Sequence, residues 1–117
     1  MKNVILLGYG KMGSSIAKGW RLKKLNFNFF VVEKVSNLRK IAIKDGFNAY
    51  EDLEQLTQFV KINSGDVIFL AVKPQQMKET IKPLFKLNFK NIFFISIAAG
   101  LSISWFQNQI NKSAKIV

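Results

Sequence analysis

Short apolar runs alternate along this chain with stretches in which apolar residues recur every three or four positions. The first kind suits strands buried on both faces, and the second suits amphipathic helices that cover them. Val4-Ile5-Leu6-Leu7 is a continuous apolar run ended by Gly8, and it predicts a first strand. Over residues 11–25, Met12, Ile16 and Trp20 recur at i+4 with Ala17 beside them, which predicts a helix with that face inward. Phe29-Phe30-Val31-Val32 predicts a second strand, ended by Glu33-Lys34. A second helix is expected from a cap at Ser36 or Asn37 to Asp45, closed by Gly46.

A short extended piece is expected over residues 47–50, and Leu53, Leu56, Phe59 and Val60 mark a third helical face. Asn63-Ser64-Gly65 reads as a turn, and Val67 to Val72 as a third main strand that Pro74 stops. Residues 75–82 predict a helix with Met77 and Ile81 inward. Pro83, which has no amide hydrogen, predicts a break near Lys82. Residues 92–97 predict a fourth main strand. Ala98-Ala99-Gly100 follows as a turn, Ser102 as a cap and 103–110 as a last helix. Lys115-Ile116-Val117 then opens another strand. Strands alternating with helices predict an α/β fold: a Rossmann-type, doubly wound, mostly parallel sheet with helices on both faces. The 117 residues are expected to form one domain, with no internal repeat or linker.

Composition narrows the chemistry. Apolar residues make up 49% and charged residues 21%, as in ordinary globular chains. There is no cysteine and no histidine, so disulfides, cysteine metal sites and the commonest general base are all excluded; no metal is expected. The net charge of +11 invites a nucleic-acid reading. However, the lysines are scattered along the chain, and Lys, Asn, Ile and Phe are abundant together, as A/T-rich codon usage would produce. No nucleic-acid partner and no membrane span are expected, and a cytoplasmic location is the default.

Four stretches carry candidate chemistry. Gly8, Gly10 and Gly13 fit G-x-G-x-x-G, with an apolar strand before them and a helical pattern after. That spacing gives a tight turn, lets a pyrophosphate approach the backbone and packs the helix close to the strand. Tyr9, Lys11 and Met12 lie within the same turn, and amides at a helix start attract phosphate. Glu33 follows Gly13 by 20 residues, the distance at which an acidic residue takes the ribose hydroxyls of NAD. Yet Lys34, Ser36, Asn37 and Arg39 follow at once and suit the extra phosphate of NADP, so both cofactors stay open. Ala71, Val72, Lys73 and Pro74 end a strand, where ligands of open parallel sheets lie. Ala98, Ala99 and Gly100 leave room for a flat ring above the end of another.

Together, "GYGKMGSSIAKGW", "DVIFLAVKPQQM" and "ISIAAGLSI" resemble the pyrroline-5-carboxylate reductases over nearly the whole chain. The resemblance implies a domain that binds NADP or NAD, in an enzyme that reduces pyrroline-5-carboxylate to proline, the last step of proline biosynthesis. Hydride would pass from the nicotinamide to the carbon of the C=N bond. It places the pyrophosphate on Gly8 through Gly13 and the adenosine ribose at Glu33 and Lys34. Ala71 through Pro74 would line the cofactor, Ala98 through Gly100 would lie near the nicotinamide, and Asp52 is the nearest candidate for the adenine side. It names no catalytic residue or proton donor here. The family continues with an M-P-N-T-P segment and a helical domain that forms an intertwined dimer and supplies most of the imino-acid site. This chain is therefore expected to be the cofactor-binding part of a homo-oligomeric enzyme, inactive alone. The other readings are the same domain from a dehydrogenase with another substrate, a non-catalytic dinucleotide sensor, and a basic nucleic-acid module.

Overall fold

All five residues of Asn3–Leu7 (β1) are buried, as a strand with neighbours on both sides and helices on both faces must be. In the computed structural model, which describes residues 2–23, 26–82, 92–96 and 115–116, β1 lies at the centre of a parallel sheet. It pairs with Asn28–Val32 (β2) on one side and with Val67–Leu70 (β4) on the other. Asn48–Tyr50 (β3) extends the β2 edge; Phe93–Ser96 (β5) and Lys115–Ile116 (β6) extend the β4 edge. The order is β3-β2-β1-β4-β5-β6 and every pairing is parallel. This is the Rossmann arrangement. The chain builds outward from β1 to β3, then returns to start the other half at β4, so the strand order switches between β1 and β4.

Alternate side chains feed two cores. Ile5, Leu7, Val32, Ile68, Leu70 and Phe94 gather on one face, under Leu53 and Leu56 of Leu53–Phe59 (α3) and Met77 of Pro74–Ile81 (α4). Leu6 and Val31 face the other way, toward Ala17 of Lys11–Leu22 (α1) and Ala42 of Ser36–Lys44 (α2). Trp20 fixes α1 to the sheet, stacked on Phe29 at 5.2 Å and edge-on to Phe69 at 4.7 Å between centroids. At the opposite end from the strand tips, Asp66 is buried but satisfied. It accepts from the amide and side chain of Asn3 and the amide of Asn63 at 2.6–3.1 Å, tying the start of β4 to β1.

Several expectations shift. Met12 is 59% exposed, because α1 turns Gly13 and Ala17 inward instead. Gly13 has to face the strand: a Cβ there would overlap the Gly8 carbonyl oxygen. Val35, not Ser36 or Asn37, takes the N-cap position of α2, and no side chain caps that helix. Phe59 is 72% exposed, its ring stacked on Tyr50 rather than sunk in the core. The third main strand stops at Leu70, and α4 starts one residue earlier than expected, with Pro74 in its first turn, where a missing amide costs nothing. Gly46 and Gly65 have the positive φ their turns need, at 97° and 88°. The strand opened by Lys115 is present as β6. The expected break at Pro83, the Ala98-Ala99-Gly100 turn, the Ser102 cap and the helix over 103–110 lie outside the described residues, as does the Ile81 side chain.

Two glycines of α1 should respond in opposite ways. Gly13→Ala should destabilise the fold by about 1–3 kcal/mol, the usual cost of overpacking. Gly19, which has open space around it, should gain roughly 0.5–1 kcal/mol on substitution by Ala, from helix propensity. Thermal melts of the two variants check both signs.

Candidate functional site at the carboxyl ends of β1, β2 and β4

The chain leaves β1 through Gly8, whose amide donates to the Val32 carbonyl at 2.8 Å and whose φ is 107°. A side chain at Gly8 would be strained by that backbone and would meet the Ala71 carbonyl oxygen at 2.9 Å. Ala71 in turn donates its amide to Leu7, and its Cβ lies 3.5 Å from where a Cβ on Gly13 would stand. The structure therefore brings the G-x-G-x-x-G turn and the Ala71-Val72-Lys73-Pro74 segment into direct contact at the switch point. Gly10 differs from its two companions. It has an ordinary φ of −72°, and nothing lies within 4 Å of a Cβ placed on it. It is the N-cap of α1, with no side-chain cap and no acidic residue in the first turn, where Lys11 and Met12 are exposed. The amides that open α1 thus have no side-chain cap, with open space at Gly10 and the positive end of the helix dipole behind them.

Glu33 stands at the tip of β2, next to the same turn. Its Oε1 accepts from the Tyr9 amide at 2.7 Å and its Oε2 from the Val35 amide at 2.9 Å. Arg39 donates through Nη1 to the carbonyls of Glu33 and Lys34 at 2.9 and 3.2 Å. Lys34 is exposed, and so is Lys73 at the N-cap of α4. Tyr9 has two roles that no motif signals. Its amide faces the turn, but its side chain is buried in the α1/α2 core, and its hydroxyl donates to Asp45 Oδ2 at 2.6 Å. Only the main chain of Tyr9 is therefore at the turn. Burial first, then the Asp45 carboxylate, hold its phenol well above the ordinary value of 10.0. Asp45 also pairs with Lys18 at 3.8 Å and accepts from Arg21 through its carbonyl. Asp52 caps α3 by accepting from the Gln55 amide at 2.7 Å, a structural task that its sequence position also allows. Ala98, Ala99 and Gly100 fall outside the described residues. Among the described residues no cluster of acidic side chains could hold a metal ion, and no helix is long and apolar enough to cross a membrane.

The family model described as NADP oxidoreductase, coenzyme F420-dependent, matches residues 3–100. The chain belongs to that family. Among curated proteins it is 31% identical over 112 residues to the pyrroline-5-carboxylate reductase of Aquifex aeolicus, covering 96% of this chain and 39% of that protein. Among solved structures, 1-pyrroline-5-carboxylate reductase from Streptococcus pyogenes superposes with a TM-score of 0.74 at 26% identity, over 97% of this chain and 40% of that one. Prephenate dehydrogenase of A. aeolicus superposes with a TM-score of 0.81 at 19% identity, over 99% of this chain and 40% of that one, a likeness of fold alone. The kinship expected from the three motif segments is borne out, and the chain spans about two-fifths of the length of these relatives.

The Tyr9–Asp45 bond predicts a specific alkaline weakness. Below pH 10 the phenol is protonated in folded and unfolded chains alike, and its contribution is whole. As pH rises past that point the unfolded chain releases its proton first, so stability falls. Tyr9→Phe should lower stability near neutrality by about 0.5–1.5 kcal/mol. It should also flatten the decline above pH 10 relative to the unaltered chain, in denaturant melts run as a pH series.

Proposed function

We propose that this chain is the dinucleotide-binding part of a pyrroline-5-carboxylate reductase, using NADPH or NADH. The observation that carries this reading is the meeting of three segments at the switch point: the uncapped start of α1 above Gly10, the carboxylate of Glu33, and the strand end at Ala71. These residues suit a dinucleotide. The amides from Lys11 to Gly13 would take the pyrophosphate, with open space above Gly10 for its approach. Glu33 and Lys34 would meet the adenosine ribose. Ala71, Val72 and Lys73 would line the far side, and contacts of Ala98, Ala99 and Gly100 with the nicotinamide are what the family resemblance implies.

When bound, the nicotinamide supplies the hydride for reduction of the C=N bond of 1-pyrroline-5-carboxylate to L-proline. What these residues contribute is position: they fix the cofactor at the mouth of the sheet. The relatives are more than twice as long, and we place the imino-acid site and the proton donor in the part of them that this chain does not match. The complete enzyme is read as a cytoplasmic homo-oligomer with no nucleic-acid or membrane partner.

Titration of the 117-residue chain with NADH and NADPH tests the reading, with binding of at least one and no turnover of pyrroline-5-carboxylate as the expected result. Gly10→Val puts a branched side chain into the proposed path of the pyrophosphate at a position where a Cβ meets nothing within 4 Å. It should cost no more than about 1 kcal/mol of stability, since Val is a poorer N-cap than Gly, and weaken dinucleotide binding by about tenfold or more, or 1.4 kcal/mol. Unchanged affinity in a folded Gly10→Val chain would remove the pyrophosphate from this turn.

A further inference from the structure

We propose that Tyr9 is a positioning residue for the phosphate-binding turn, and that it acts through its hydroxyl bond to Asp45 at the carboxyl end of α2; the inference rests on the dinucleotide reading above. The turn runs Gly8-Tyr9-Gly10 into α1, so Tyr9 is its one residue with a side chain. Gly8 is held by its packing on Ala71. Gly10 has no such hold: nothing lies within 4 Å of a Cβ placed there, and glycine backbone is soft. The peptides that lead into the first amides of α1 therefore depend on what grips residue 9.

Three groups of Tyr9 find partners on three segments. Its amide donates to Glu33 at the tip of β2, at 2.7 Å. Its buried ring is tilted against Phe47, just before β3, with centroids 6.1 Å apart. Its hydroxyl donates to Asp45 Oδ2 at 2.6 Å. The side chain is thus a tether that runs from the turn into the α1/α2 core and ends on a carboxylate.

Asp45 stands against a local rule. It is the C-cap of α2, at the negative end of the helix dipole, where a cation is favoured over a carboxylate. Lys18 at 3.8 Å from the same Oδ2, and Arg21 donating to the Asp45 carbonyl, offset that placement. What the placement gains is a short, charge-assisted bond to the residue between two glycines of the turn. A turn already held in place does not have to be ordered when the ligand arrives, and that raises affinity without a new contact.

Calorimetric titrations with NADH and NADPH, at one ionic strength, test the proposal on the unaltered chain and its variants. Tyr9→Phe and Asp45→Ala should each weaken the tighter of the two ligands by about fivefold or more. Combined, they should cost no more than either alone, because both break one bond. Charge alone predicts the opposite sign for Asp45→Ala, since loss of a carboxylate favours an anionic ligand. Asp45→Asn keeps an acceptor for the hydroxyl and should bind as the unaltered chain does. Ile68→Val, a truncation in the other core with a similar cost to stability, should leave affinity unchanged. Unchanged affinity in Tyr9→Phe and Asp45→Ala, or an equal loss in Ile68→Val, would overturn the proposal and leave the dinucleotide reading intact. Binding of neither ligand by the unaltered chain would sink both. If Tyr9→Phe does not fold, Asp45→Ala, at a side chain 23% exposed, carries the same comparison.

Discussion

The contact among Gly8, Gly13 and Ala71 is the constraint on which the site depends. The turn of residues 8–13 and the strand end at Ala71, far apart in sequence, meet there through backbone atoms, the Ala71 methyl and the edge of Val72. The end of β1, the first turn of α1 and the end of β4 are locked by backbone contact and by the amide of Ala71 on Leu7. Two of the three glycines are therefore required by the protein's own packing. Gly10 is not, and its surroundings are open. Close packing below and vacant space above are what turn a helix start into a cradle.

A second set of links runs sideways from the turn. Tyr9 joins it to β2 through its amide on Glu33, and to the end of α2 through its hydroxyl on Asp45. Glu33 in turn holds the first residue before α2, and its own amide donates to Tyr50 on β3. The half of the sheet that would meet the adenosine is thus wired to the half that would meet the phosphates. Tyr9 and Glu33 belong to one hydrogen-bonded unit, so substitutions at the two should not behave as independent changes.

Periodicity made the framework legible. Continuous apolar runs at Val4–Leu7 and Phe29–Val32, bounded by turn and charged residues, suit short buried strands, and Gly46 and Gly65 stand where positive φ is needed. It failed where local rules compete with tertiary packing. Met12 fits an i+4 stripe with Ile16 and Trp20, but the demand for Gly13 against the sheet rotates α1 and leaves Met12 outside. Ser36 and Asn37 are good capping types, yet the Glu33 carboxylate already engages the Val35 amide, and the helix starts from Val35. At the candidate site, the glycine turn and the position of Glu33 were readable because each follows a fixed spacing along the chain. The bond from Tyr9 to Glu33, the turn of Tyr9 into the core and the use of Arg39 on its own loop were not. The first two depend on how β1, β2 and α2 come together in space, which no spacing in one sequence specifies, and the third is a local bond that no periodicity or capping rule names.

The central claim is that one end of the sheet, at the switch between β1 and β4, receives the dinucleotide. Amide chemical-shift mapping of the isotope-labelled chain during addition of NADH addresses it most directly. The account predicts that the largest changes fall on residues 9–13, 33–35 and 71–73, with Asn3, Asn63 and Asp66 at the opposite end unmoved. Largest changes at that opposite end, or scattered over the lysine-bearing surface, would contradict it.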